Sequence, residues 1–327
     1  MFYKDKLSLK NKKLYDLILD GLLNHDPEIQ LNTVVPNIFD IVDCVKYDNP
    51  QLFDVESITS QTGSKTTLYP DYEYTKEEYF AIRTKCILAS KNIVKTVQGD
   101  PYTKELLIHD WICKNLKYVK DSPGAHSIVG PLLYRAGVCE GFSKLFKLLM
   151  DMVECPTIFI SGYHIQNNNK DPHSWNAVLI NNKWYNVDAT FDNTLSETTV
   201  RYDYFNIPDR ILDNDHEPNS YKVFANSMEF NYYARNRLIF SSVPEIYQYL
   251  SNLYSSKEIH FSFMYVNPDP DSQTNEILNI LSRIISVHNH SRKYGISNNT
   301  STYTYSGFIT QCNSETFLGT VFRTWRR

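Results

Sequence analysis

The sequence lacks a hydrophobic segment long enough to cross a membrane. No uninterrupted apolar stretch approaches the roughly 18 residues that a spanning helix needs. The first ten residues, MFYKDKLSLK, carry three lysines and no apolar core of the kind found in a signal peptide. As the sequence stands, we expect a cytoplasmic protein. A secreted protein already cleared of its signal would look the same.

A strong excess of charge of one sign is also missing. The 327 residues carry a formal net charge of -4, so there is no electrostatic reason to expect nucleic acid or an anionic membrane as a partner. A composition with 42% hydrophobic and 21% charged residues is typical of a folded soluble protein. The sequence does not indicate an oligomeric state.

The cysteines lack any regular spacing. The chain has six of them, and no pair forms a CxxC motif or another metal-ligand pattern. We therefore expect neither a disulfide framework nor a zinc site, and we predict no metal and no cofactor. Three of the cysteines, Cys44, Cys86 and Cys113, fall within apolar or helical patterns, where a small buried side chain is the default interpretation. The six are Cys44, Cys86, Cys113, Cys139, Cys155 and Cys312.

Three regions follow one another along the chain. Residues 1–100 contain helical patterns, a hairpin pattern at 54–68 and a capping box at Thr75 and Glu78 that opens a helix. We predict that these residues support the core. Residues 101–240 carry the motifs described below and form the predicted catalytic core. Residues 241–327 alternate between helical and strand patterns, which indicates a small α/β C-terminal domain.

One cysteine stands at the predicted start of a helix. Residues 140–153 place apolar side chains at the i, i+3, i+4 spacing of a helix that buries one face. Cys139 directly precedes this run and lies between Gly137 and Gly141. Unpaired N–H groups and the positive end of the helix dipole favour a thiolate at this position. A buried core thiol is the alternative interpretation of the same pattern.

A second feature is a hairpin that brings a histidine near an aspartate. Residues 174–180 and 183–190 are strand-like, and Asn181 and Asn182 between them tolerate a tight turn. With this two-residue loop, the numbers of paired residues sum to 363, so Trp175 faces Asp188. His173 and Asp188 then lie on one face as diagonal neighbours, roughly 7–8 Å apart at Cα. A loop of odd length would place them on opposite faces.

These three residue types are the ones that nucleophilic thiol catalysis requires. A thiolate attacks a carbonyl, a histidine takes and returns the proton, and an aspartate orients and stabilises the imidazole. Cys139, His173 and Asp188 occur in that order along the chain.

Three short blocks around these residues resemble the transglutaminase-like superfamily, the papain-like group that includes transglutaminases and microbial cysteine peptidases. The blocks are GVCEGFS at 137–143, DPHSWNAV at 171–178 and KWYNVDAT at 183–190. Within this group the chain is most similar to uncharacterised transglutaminase-like proteins of low-GC Gram-positive bacteria. The resemblance implies an α+β fold with a cysteine-bearing helix packed on an antiparallel sheet. It also implies that Cys139 is the nucleophile, His173 the general base and acid, and Asp188 the orienting residue.

The resemblance further implies that residues 201–209, an aromatic strand followed by a turn, continue the sheet. It leaves the oxyanion site incomplete, because the aromatic that precedes the cysteine in animal transglutaminases has no equivalent here. We expect the N–H of Cys139 to be one donor, with His126, Ser127 and Tyr134 as candidates for a second. Trp175 and Trp184 either wall a substrate groove or pack in the core. His164, beside a predicted loop at 166–171, is a weaker alternative to His173 as base.

The function predicted from these residues is acyl transfer through a thioester on Cys139, with a protein or peptide as substrate. Water as the acceptor makes the protein a cysteine peptidase or amidase, which is the reaction we expect. A lysine amine as the acceptor makes it a transglutaminase. A catalytically dormant binding or scaffold protein on the same fold is the remaining alternative.

Overall fold

A computed structural model describes residues 1–196, 199–219, 221–253, 258–266, 270–287, 292–311 and 321–322. The described chain mixes eleven α-helices with antiparallel and short parallel strand pairings, which confirms the predicted α+β class. Within these residues no helix is both long and apolar enough to span a membrane. Cys312 lies outside them.

The N-terminal region combines three helices with a small antiparallel sheet of order β1-β3-β2. The predicted hairpin within residues 54–68 is present, and the sheet adds a third strand to it. One face of the helices buries a cluster that includes Tyr15, Ile18 and Val45 against the main sheet. The elements are α1 Phe2–Lys6, α2 Leu9–Leu23, β1 Ile29–Leu31, α3 Ile38–Asp48, β2 Val55–Thr62 and β3 Thr66–Tyr72.

The next elements lead to the cysteine-bearing helix. Thr75 and Glu78 form the predicted capping box at the start of α4. The helix α6 buries Phe142, Leu145 and Phe146 completely, and each such side chain contributes roughly 1.5–3 kcal/mol. A short π-helical turn, Gly130–Tyr134, precedes β5. The elements are α4 Lys76–Val94, α5 Pro101–Asn115, β4 Lys117–Tyr118, β5 Ala136–Gly137 and α6 Cys139–Met152.

The main sheet has the strand order β8-β7-β6-β9, and all of its pairings are antiparallel. One face packs on the N-terminal cluster, and the other packs on α4, α5 and α6. The sheet thus separates the two larger cores and holds α6 against its strands. The elements are β6 Thr157–Gln166, β7 Asn169–Ile180, β8 Lys183–Val187, α7 Ala189–Leu195, α8 Asp209–Leu212, β9 His216–Pro218 and α9 Tyr232–Arg235.

The predicted register of the β7–β8 hairpin is confirmed, because Asn176 pairs with Val187 and Ile180 with Lys183. Three other predictions about this region are wrong. The strand at 183–190 ends at Val187, since Asp188 caps a helix. The predicted loop at 166–171 is a tight hairpin turn at Asn167 and Asn168, both with positive φ. Residues 201–209 form turns with one isolated bridge, and β9 takes the sheet edge next to β6 instead.

The C-terminal region has its own sheet of order β10-β11-β13-β12-β14. Its buried cluster draws only on residues from 246 to 309. The predicted boundaries after residues 100 and 240 stay predictions. The elements are β10 Ile239–Phe240, α10 Val243–Leu253, β11 Glu258–Tyr265, α11 Pro270–Val287, β12 Arg292–Asn299, β13 Thr304–Gln311 and β14 Val321–Phe322.

Candidate active site

Cys139 is the first residue of α6 and is half-buried. The first N–H groups of a helix have no intrahelical acceptor, and here no side chain caps them. They are therefore available to the sulfur or to an anion beside it. Glu140 adds a negative charge to this first helical turn, but its carboxylate pairs with Lys144 at 2.6 Å. Burial opposes ionisation of Glu140, yet Lys144 and His126 lower its pKa.

The two glycines beside Cys139 allow a loop to pack closely against the start of α6. The carbonyl of Ala125 accepts a hydrogen bond from the N–H of Val138 at 3.1 Å. A Cβ at Gly141 would lie 2.3 Å from that carbonyl oxygen, and one at Gly137 would lie 3.0 Å from it. The glycines are therefore required by this approach, which fixes the backbone on both sides of the thiol.

Hydrogen bonds hold α6 against the sheet next to His173. The hydroxyl of Ser143 donates to the carbonyl of Ser174 at 2.9 Å. The side-chain amide of Asn176 donates to the carbonyls of Ser143 and Ile158 at 3.0 and 3.1 Å. These bonds connect the helix that carries the thiol to the strand that carries the imidazole.

His173 and Asp188 form a short buried pair. The Nε2 atom of His173 lies 2.6 Å from Oδ2 of Asp188. Burial alone would lower the pKa of His173, but the Asp188 carboxylate, with a smaller contribution from Cys139, raises it to about 10. Since Nε2 faces Asp188, Nδ1 is the atom left for the thiol. The imidazole thus uses one nitrogen for the carboxylate and keeps the other for the thiol.

Asp188 reaches His173 from a helix cap rather than from a strand. Its Oδ1 accepts from the N–H groups of Thr190 and Phe191 at 2.9 and 3.0 Å, which starts α7. Burial would raise the pKa of Asp188, but His173 and a second imidazole, His216, hold it well below its usual range. The carboxylate is therefore ionised at neutral pH.

His216 was missed in the sequence analysis. It lies on β9, and its Nε2 atom is 3.2 Å from Oδ2 of Asp188. The only sequence signal is the dipeptide Asp215-His216 in a polar stretch 28 residues after Asp188, and no motif spacing singles it out.

His173, Asp188 and His216 form the one group in the described chain whose side-chain atoms could together bind a metal, with these atoms within 4.8 Å of one another. Two ligands at about 2.1 Å from a tetrahedral ion lie about 3.4 Å apart. The 2.6 Å between His173 and Asp188 is shorter and is typical of a charge-assisted hydrogen bond. Hydrogen bonds therefore account for this group, and we assign no metal to it.

A second set of thiol, imidazole and carboxylate lies in the core. The sulfur of Cys113 is 3.7 Å from Nε2 of His109, which is 2.9 Å from Oδ2 of Asp192. Burial raises the pKa of Cys113, although His109 opposes this effect. Cys113 also lies near the C-terminal end of α5, where the helix dipole disfavours a thiolate. This set is structural, in agreement with the predicted burial of Cys113.

The two tryptophan candidates lie in different places. Trp175 is buried beside the site, with its ring 6.2 Å from that of His173 and 5.0 Å from that of His216. Its indole N–H has no acceptor among the residues described. Trp184 lies at the opposite end of the hairpin, paired with Leu179, and lines a separate cavity of about 690 Å³. Trp184 therefore does not border the Cys139 site.

The remaining candidates lie around the start of α6 or on the neighbouring strand. The imidazole of His126 is 72% exposed and lies 3.1 Å from Glu140. Tyr134 is 55% exposed at the end of the π-helical turn. His164 packs edge-on against Phe191 at 4.9 Å, and burial lowers its pKa. The roles predicted for these residues stay predictions.

Cys139, His173 and Asp188 lie in the part of the chain that matches a known protein family. Residues 90–189 match the transglutaminase-like superfamily. Kyphoscoliosis peptidase of Mus musculus is 26% identical over 166 aligned residues, which cover 41% of this chain and 25% of that protein. The chain thus spans about a quarter of the length of this relative. These similarities do not support the closer resemblance to proteins of low-GC Gram-positive bacteria.

Two solved structures show weaker similarity. A crystal structure of a TGase is 14% identical, with a TM-score of 0.30, over 42% of this chain and 44% of that one. A proposed cysteine protease from Cytophaga hutchinsonii is 20% identical, with a TM-score of 0.28, over 41% of this chain and 61% of that one. Similarity of this extent supports no conclusion about function.

Proposed function

We propose, on the premise that residues 90–189 form a transglutaminase-like superfamily domain, that the protein is a thiol-dependent enzyme acting at peptide or amide carbonyls. Cys139 is its nucleophile. The observation that carries this proposal is the imidazole of His173, which lies 2.6 Å from Asp188 and has its pKa raised by that carboxylate and by Cys139. An imidazole with a raised pKa and a thiol at a helix N-terminus favour an ion pair of thiolate and imidazolium.

The first half of the reaction forms a thioester. The thiolate of Cys139 attacks the carbonyl carbon, and the negative charge moves to the carbonyl oxygen. The N–H of Cys139 is positioned at a helix start to donate to that oxygen. When the C–N bond breaks, the Nδ1 proton of His173 goes to the leaving amine, and the acyl group stays on sulfur.

The second half releases the acyl group. Water attacks the thioester, His173 takes a proton from it, and the C–S bond breaks to give a carboxylic acid and the original thiolate and imidazolium. A primary amine in place of water gives a new amide instead, which is the transglutaminase reaction. We assign hydrolysis, because water as acceptor needs no second binding site for an amine. Asp188 keeps the imidazole oriented and stabilises its charged form through both halves.

Intact-mass spectrometry with the nitrophenyl ester of a short peptide tests this assignment. We expect an acyl adduct on Cys139 of the wild-type protein and none on Cys139→Ala. The variant Cys113→Ser, which removes the core thiol beside His109, should keep the adduct. If no adduct forms on Cys139, the dormant scaffold interpretation replaces the enzyme.

The same assay with methylamine separates the two acceptors. An adduct that decays to the free acid, with or without methylamine, supports a peptidase or amidase. An adduct that decays mainly to the N-methylamide when methylamine is present supports a transglutaminase and contradicts hydrolysis as the main reaction.

A further inference from the structure

His216 lies on the edge strand β9, whereas Asp188 directly follows β8 at the other edge of the main sheet. Its strand, β9, pairs with β6 through His164 and Gly162. A Cβ at Gly162 would come within 2.6 Å of the Trp175 ring, which packs edge-on against His216 at 5.0 Å. The missing side chain at Gly162 therefore leaves room for the rings that bring His216 to Asp188.

Both nitrogens of His216 face carboxylate oxygens. Its Nδ1 lies 2.5 Å from Oδ1 of Asp215, and its Nε2 lies 3.2 Å from Oδ2 of Asp188. An ionised carboxylate only accepts hydrogen bonds, so each nitrogen must carry a proton. His216, whose side chain has no solvent exposure, is therefore an imidazolium. Burial would lower its pKa, but the two aspartates outweigh burial and raise it.

Asp215 is fixed in turn by a third partner. The hydroxyl of Tyr204 donates to Oδ2 of Asp215 at 2.6 Å. Burial would raise the pKa of Asp215, but its contacts with His216 and Tyr204 keep it low. The aspartate thus provides a fixed negative charge behind His216.

We propose that His216, held as a cation by Asp215, is a positioning residue that fixes the Asp188 carboxylate and sets the pH range in which Cys139 and His173 form their ion pair. This inference rests on the proposed function. Asp188 uses Oδ1 for the cap of α7 and shares Oδ2 between His173 and His216. Without His216, one donor would remain on Oδ2, and the carboxylate would be less firmly oriented toward the catalytic imidazole.

The charges of the network alternate in sign. Asp215 is negative, His216 positive, Asp188 negative and His173 positive in the ion pair. The rings of His216 and His173 are 5.3 Å apart, so the fixed cation disfavours the imidazolium of His173 and favours the thiolate of Cys139. Removing the cation should move both limbs of the pH profile to higher pH.

Among the described residues, His164 and Tyr204 are the other titratable groups that lie against this network. His164 lies 6.1 Å from His216 and 6.4 Å from His173, measured between ring centroids, and burial lowers its pKa. It is therefore neutral at pH 7 and adds no fixed charge. Tyr204 is held protonated, because burial and Asp215 raise its pKa. The charge balance of the site thus depends on the two aspartates, the two imidazoles and the thiol.

The test compares His216→Gln with His25→Gln, which breaks another buried imidazole–carboxylate pair, that of His25 and Asp54 at 2.9 Å in the N-terminal region. We expect His216→Gln to lower kcat roughly 10- to 100-fold with little change in KM. Both limbs of its kcat/KM profile should shift upward by about one pH unit. Alkylation of Cys139 by iodoacetamide should show the same upward shift of its midpoint. His25→Gln should leave both profiles unchanged.

Two measurements do not depend on how well His216→Gln folds. Imidazole ¹⁵N NMR of the wild-type protein should show both nitrogens of His216 protonated between pH 6 and 8. Asp215→Asn removes the carboxylate that holds the second proton on His216, so His216 becomes neutral. The profiles should therefore shift in the same direction as in His216→Gln.

The outcomes separate this inference from the proposed function. If wild-type protein turns over no substrate but the alkylation midpoint of His216→Gln shifts as expected, the proposed function fails and the electrostatic role of His216 stands. If wild-type protein is active and neither profile shifts, the inference about His216 is overturned. A neutral His216 in the NMR spectrum at pH 7 also overturns it.

Discussion

Replacing Asp188 by asparagine tests the orienting role most severely. Asp188 accepts from four donors: two backbone N–H groups and the Nε2 atoms of His173 and His216. An asparagine oxygen can keep the two backbone bonds and thus the helix cap. Its NH₂ group would then face both imidazoles with donors, so His173 would lose the acceptor that fixes its tautomer.

The magnitude follows from the pKa of His173. The carboxylate and the thiol raise that pKa from 6.5 to about 10 against the effect of burial. Each unit corresponds to about 1.4 kcal/mol, so losing Asp188 removes up to about 4–5 kcal/mol of imidazolium stabilisation. We expect kcat/KM for an activated peptide ester to fall at least about 10³-fold, with KM little changed.

The same shift predicts a pH-dependent stability. The folded-state pKa of His173 is above its unfolded value, so its stabilising contribution is fully present below about pH 6.5 and is lost as pH rises toward 10. Urea denaturation at pH 6 and 9 should show this loss in the wild-type protein and a smaller loss in Asp188→Asn. A kcat/KM that falls less than tenfold in a folded Asp188→Asn protein would refute the reasoning.

Two further predictions concern the scaffold. Gly141→Ala should lower the free energy of unfolding by about 1–3 kcal/mol and reduce activity, because its Cβ would meet the Ala125 carbonyl at 2.3 Å. Gly63→Ala, where a Cβ meets nothing within 4 Å, is the matched control and should change stability by less than about 1 kcal/mol in urea denaturation. Burial raises the pKa of Glu105 from 4.5 to about 8, so the free energy of unfolding should fall as pH rises through this range. Glu105→Gln should flatten the dependence of unfolding free energy on pH between pH 5 and 8. An unchanged dependence in this variant would contradict the raised pKa of Glu105.

The sequence was sufficient where local chemistry decides the structure. Asn181 and Asn182 adopt positive φ, and the register of the hairpin they close follows from the length of the loop alone. The helix at Cys139 follows from its apolar spacing and its flanking glycines. In both places the residues of a short segment determine its local backbone structure.

Long-range partners could not be predicted in this way. Strand propensity favoured continuation past Val187, but Asp188 found two backbone donors and started a helix instead. His216 reaches the site only because β9 pairs with β6, and a three-residue strand leaves little pattern in the sequence. The separation of Trp184 from the site also depends on the sheet, since Trp184 shares a face with His173 but lies six residues further along the strand direction.

The most direct test of the central claim is the rate at which each cysteine reacts with iodoacetamide at pH 7, followed by peptide mass spectrometry. We predict that Cys139 reacts about tenfold or more faster than Cys113, and that His173→Gln removes this advantage. A Cys139 that reacts no faster than the buried cysteines, or whose rate is unchanged in His173→Gln, would contradict the assignment of Cys139 as an activated nucleophile.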